Sequence, residues 1–210
     1  MPGRGRTEAG AGAGAGAGAD AGADAAARRM PDDFFRTWLR VAAEEAKHFS
    51  RWRLRLAQYG LRYGDLDAHE GLWQSALETG DSLLARLAVV HCVHEARGLD
   101  VAPLMRAKLG DDAASVAVLD ANVEEEVTHV AAGREWIERV CAALPAAERP
   151  EHPRLAFQAC VRARFFGRLL PPFAAERRAR AGLTEEWYLP LAAMPAEGGK
   201  AAELTAADMG

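Results

Sequence analysis

The chain has 210 residues, half of them apolar, with 26 basic and 30 acidic side chains and a net charge of −4, so nothing general favours binding to nucleic acid or to an anionic membrane surface. No stretch approaches the ~18 consecutive apolar residues of a membrane span. Three cysteines, Cys92, Cys141 and Cys160, lack Cys-x-x-Cys spacing and read as buried free thiols of a reducing cytoplasm, which excludes a disulfide scaffold or a thiolate zinc site.

Residues 1–29 are dominated by an Ala/Gly tract broken by Asp20 and Asp24, a low-complexity composition expected to be disordered. Arg4 and Arg6 imitate the start of a signal peptide, but no Leu/Val/Ile run follows. Residues 30–193 form one domain of ordinary size. Pro31-Asp32-Asp33 opens a helix expected to reach Tyr59, and Gly60 closes it. Gly60 to His69 reads as a loop. A helical stretch follows from about Glu70 to Arg97, with a break near Gly80-Asp81 and Gly98 as its stop. A short helix after Pro103 reaches Leu109, and Gly110-Asp111-Asp112 starts a long one to Ala143. Pro145, Pro150 and Pro153 mark a connection. A helix over Pro153 to Phe166, a short one ending at Arg180 and a last turn from Thr184-Glu185-Glu186 to Ala192 complete the pattern. The segment 194–210 is expected to be a disordered tail. Nothing alternates as a strand, so the fold class is all-α. From Glu148 to Gly182 eight arginines face only Glu148, Glu151 and Glu176, a run read as a solvated surface.

The chemistry lies in two copies of Glu-x-x-His, Glu45-Ala46-Lys47-His48 and Glu126-Val127-Thr128-His129. Positions i and i+3 share a helix face, so each copy offers a carboxylate and an imidazole to one point. Glu45 and His48 fall in a stripe with Trp38, Val41, Trp52 and Leu56, and Glu126 falls in one with Leu119, Val123, Val130 and Ile137, so burial is expected. A buried unpaired carboxylate costs several kcal/mol, roughly, and is normally paired, protonated or metal-bound. One copy suits a buried Glu–His hydrogen bond; two in-stripe copies point to metal, as in bundles that use two Glu-x-x-His helices and a Glu from each of two others. Glu95, after a nearly uncharged run, is read as a third ligand bridging two metals. His91, one turn from it, reads as a core residue or as a partner of Glu95, and His94 stays equally open. Glu44 and Glu125 point about 100° away from the ligand faces and are expected to be bystanders.

The stretches FRTWLRVAAEEAKHF (35–49), YGDLDAHEGLW (63–73), Leu83 to Asp100 with its EARGLD ending and EEEVTHVAAGREW (124–136), together with Pro171-Pro172-Phe173, resemble an uncharacterised ferritin-like family called domain of unknown function 455. The resemblance implies a ferritin-like helical bundle with extra C-terminal helices and carries Glu45, His48, Glu95, Glu126 and His129 onto metal-ligand positions. It also implies a first bundle helix with a further carboxylate, where this chain has its Ala/Gly tract. The bundle is therefore expected to be incomplete.

The functional expectation is a di-metal protein holding two iron ions, with manganese the alternative, and acting in the cytoplasm as an O2-activating oxidoreductase on an unknown small-molecule substrate with an unknown electron donor. Two alternatives stand beside it: a ferroxidase-like metal binder without an organic substrate, and a truncated, inactive structural protein. A homodimer would cover apolar surface left by an absent helix.

Overall fold

The computed structural model describes residues 30–193, and these are all-α, seven helices arranged as a bundle with no strand among the described residues. The tracts 1–29 and 194–210, read above as disordered, lie outside the described residues. Helix α1 is Asp32–Gln58, α2 is Gly71–Glu78, and α3 is a single path through Leu83–Arg86, a π-helical stretch Leu87–His94, and Glu95–Leu109. Helix α4 is Ala113–Ala143, α5 Pro153–Arg164, α6 Ala175–Arg180 and α7 Glu185–Ala192.

Local chemistry sets the ends. Asp32 and Asp33 place negative charge in the first turn of α1, Arg55 places positive charge in its last, and Gly60 turns the chain away at φ +77°. The Asp112 side chain caps α4 by accepting from Ser115 N, 3.1 Å away. Thr184 takes the N-cap position of α7, where its side chain makes no capping hydrogen bond.

Helices α3 and α4 form the core pair. Ala88, Cys92, Ala96 and Leu99 of α3 meet Val130, Ile137 and Val140 of α4, all of them buried. A side chain such as Leu99 contributes about 1.5–3 kcal/mol by leaving water. This packing overrides the expected stop at Gly98: Ala96, Leu99 and Ala102 continue the buried spacing, so the helix runs through Gly98 and Pro103 to Leu109. Helices α5 and α7 close the other end, where Gln158 Nε2 donates to the carbonyls of Glu186 and Trp187. Cys92 and Cys141 are buried free thiols as expected, while Cys160 is half-buried; burial pushes the Cys141 thiol up to about 11. The arginine run is far from uniformly solvated. Arg178 is buried on Asp100, Arg164 pairs with Asp81 and Arg180 with Glu124. Among the described residues, no helix is long and apolar enough to cross a membrane.

α1 lies on α4 and runs against it. Asp33 meets Arg139, Glu44 meets His129, His48 meets Glu125, Arg51 meets Asn122 and Arg55 meets Ser115, so one chain position rises as the other falls. This register brings the two Glu-x-x-His motifs face to face.

Candidate metal centre

Two histidines and two glutamates form the middle of the site. Glu126 directs Oε1 to His48 Nδ1 at 3.2 Å and Oε2 to His129 Nδ1 at 3.4 Å. Glu45 directs Oε2 to His48 Nδ1 at 3.6 Å and Oε1 to His129 Nδ1 at 2.8 Å. Each carboxylate therefore faces the same nitrogen of both rings, which stand 5.5 Å apart between centroids. Two donor groups result, Glu45/His48/Glu126 and Glu95/Glu126/His129, and each gathers its ligand atoms within 4.8 Å of one another. All five residues expected as ligands are thus brought together. Glu126 belongs to both groups, and Glu95 to one.

The far nitrogens are held from the opposite helix. Glu125 of α4 accepts from His48 Nε2 at 2.7 Å, and Glu44 of α1 accepts from His129 Nε2 at 2.8 Å. A carboxylate only accepts, so each ring keeps a proton on Nε2 and turns Nδ1 inward. Lys47 and Arg51 hold Glu125, and Arg40 holds Glu44. Glu44 and Glu125 are therefore not bystanders. The 100° offset that takes them off the ligand face of their own helix aims them at the facing one. The signal was present in the repeated Glu-Glu-x-x-His, Glu44 to His48 and Glu125 to His129. Glu125→Gln, which weakens the anchor on His48, should lower metal affinity about 10–100-fold with helix content retained. Equilibrium dialysis against Mn(II) checks this, and an unchanged affinity would return Glu125 to the solvated surface.

The third carboxylate depends on a local departure from α-geometry. The π-helical stretch Leu87–His94 ends at Glu95, and it faces Gly133, where an added Cβ would lie 2.8 Å from His91 Cβ and 3.0 Å from Cys92 Sγ. The missing side chain lets α4 approach the widened turn, and the turn presents His91 and Glu95 together. His91 Nδ1 lies 2.6 Å from Glu95 Oε1, and its ring lies tilted against Trp38 with centroids 4.0 Å apart, so His91 is the partner of Glu95. His94 is elsewhere, 2.8 Å from Ser75 Oγ, with its pKa lowered by burial.

The electrostatics are those of a place built for positive charge. Burial disfavours the His129 cation, yet the carboxylates of Glu126, Glu45 and Glu44 outweigh it and push the pKa up to about 10. Burial raises the Glu95 pKa against the opposing pull of His91. Glu125 is driven down to about 2, because Lys47, His48 and Arg51 overcome its desolvation. Glu95 Oε2 and Glu126 Oε2 are buried without a hydrogen-bond partner. Two such atoms in one cluster are costly, roughly 1–3 kcal/mol each, and a cation between them would satisfy both. The donors fit a metal well: carboxylate oxygen and imidazole nitrogen, with no thiolate. One expectation fails at the rim. His129 is fully buried, but the Glu45 side chain is 45% exposed, because the packed face of α1 stops short of it.

An uncharacterised protein of Haemophilus influenzae is 43% identical to this chain over 105 residues, which are 49% of this chain and 36% of that relative. The match thus spans about a third of the relative's own length. No solved structure matches the chain. The family described as "Protein of unknown function (DUF455)" matches residues 18–189, a span that includes both motifs, Glu95 and all seven helices but the last turn of α7. This chain belongs to that family.

Proposed function

We propose that the protein is a ferritin-like di-metal carboxylate protein, and that with iron bound it is an O2-activating oxidoreductase. The observation that carries this reading is that Glu45 and Glu126 each face Nδ1 of both His48 and His129. In a binuclear site Glu126 would be shared, Glu45 and His48 would serve one ion, and Glu95 and His129 would serve the other. Iron would supply electrons for the reduction of O2; manganese suits the same donors. The chain's own contribution is orientation and shielding. Glu44 and Glu125 fix the rings, His91 fixes Glu95, and Val123, Val127 and Val130 keep water from the α4 side. The exposure of Glu45 favours a second reading, a ferroxidase-like protein whose substrate is the metal ion itself, because it leaves the cluster open to solvent at that rim.

Anaerobic loading with Fe(II) followed by an O2 pulse separates the two. Slow substrate-free O2 consumption at two irons per chain is expected for an oxygenase lacking its substrate. Rapid Fe(II) oxidation that tracks O2 uptake would favour the ferroxidase-like reading. Failure to bind iron would reject both.

A further inference from the structure

Helix α1 is attached along one face, and its opposite face carries an apolar stripe. Phe35, Leu39, Ala42, Ala46 and Phe49 recur at intervals of four, three, four and three, the spacing of a helix–helix seam, and all five are exposed, Leu39 to 70%. Tyr63 extends the patch by stacking edge-on against Phe49, 5.1 Å away. A contiguous apolar face of this kind marks an interaction site.

The order of sizes along the stripe says what fits it. Phenylalanines stand at the two ends and alanines in the middle. A second α1 laid antiparallel and centred on Ala42 would place Phe35 of each copy against Phe49 of the other. Leu39 would fill the space over Ala46, and the two Ala42 positions would let the backbones approach. The same register brings exposed Asp32 of one copy to exposed Arg53 of the other, at both ends. A parallel pairing would instead set Asp32 against Asp32 and Arg53 against Arg53. Size and charge thus select one arrangement, and that arrangement is two-fold symmetric, as the interface of two identical chains must be.

We propose that this stripe is a homodimer interface, α1 packing antiparallel on α1 of a second copy about Ala42. The interface borders the cluster: Glu45 lies on the helix between the face that meets α4 and the edge of the stripe at Ala42 and Phe49. A second copy therefore shields the flank on which the metal cluster is open within one chain. The dimer does not depend on metal, so it stands or falls separately from the function proposed above.

The test is sedimentation of the full metal-free chain at micromolar concentration. Wild type is expected at twice the chain mass, and Leu39→Glu at once the chain mass with an unchanged circular dichroism spectrum. Arg53→Asp should weaken the dimer, and Asp32→Arg added to it should restore it, a rescue that general unfolding would not give. Ala42→Cys should cross-link two copies on mild oxidation, whereas Ala57→Cys, beyond the seam, should not. A monomeric wild type would overturn the proposal, as would a dimer that ignores both Leu39→Glu and the charge exchange.

Discussion

Glu126→Ala should remove both metal ions, whereas Glu95→Ala should remove one. Glu126 is common to the two donor groups, so its loss leaves Glu45 and His48 on one side and Glu95 and His129 on the other, short of a shared oxygen. Loss of Glu95 leaves Glu45, His48 and Glu126 intact. Metal counting on purified variants reads the difference directly: two per wild-type chain, about one for Glu95→Ala and fewer than one for Glu126→Ala. Helix content should hold in both, since neither side chain packs the α3–α4 core. Equal losses in the two variants would contradict the shared role of Glu126.

Asp100→Ala should be the most destabilising single change outside the core, costing about 3–5 kcal/mol. Asp100 Oδ1 accepts from Arg178 Nε at 2.8 Å and from Ala174 N at 2.9 Å, and Oδ2 accepts from Arg178 Nη2 at 2.6 Å. Arg178 lies over the rings of Tyr188 and Phe173, 4.4 and 5.2 Å from their centres, and both members of the pair are buried. Removing the carboxylate strands a guanidinium in a dry place and releases α6 from α3. Thermal unfolding should fall by about 10 °C or more, on the scale of 2–4 °C per kcal/mol for a chain of this size. Replacing Asp100 and Arg178 together by apolar residues should recover much of the loss. A single variant that unfolds within a degree or two of wild type would show that the pair only decorates the interface.

Much of the architecture was legible in the sequence, for definite reasons. Prolines and glycines at Pro31, Gly60, Gly110 and Pro153 punctuate real helix ends, and the 3.6-residue spacing of Val41, His48 and Trp52 marks the face that meets α4. The paired Glu and His side chains of the cluster were readable because Glu-x-x-His fixes geometry within one helix. Three features were not. Gly98 looked like a stop because glycine is weak in a helix, but the burial of Ala96 and Leu99 on α4 outweighs that cost of about 1 kcal/mol. The π-helical turn before Glu95 has no local sequence mark; it packs closely on Gly133 of another helix, where a side chain would not fit. The straps from Glu44 and Glu125 depend on the antiparallel register of α1 against α4, which one helix considered alone does not reveal.

The central claim is that two metal ions lie between His48 and His129, with Glu126 shared. Crystals of the chain grown anaerobically with Mn(II) and measured at the manganese absorption edge test it most directly. The expected result is two anomalous peaks about 3.5–4 Å apart, one beside Nδ1 of each histidine. A single peak, or peaks lying away from Glu126, would contradict it.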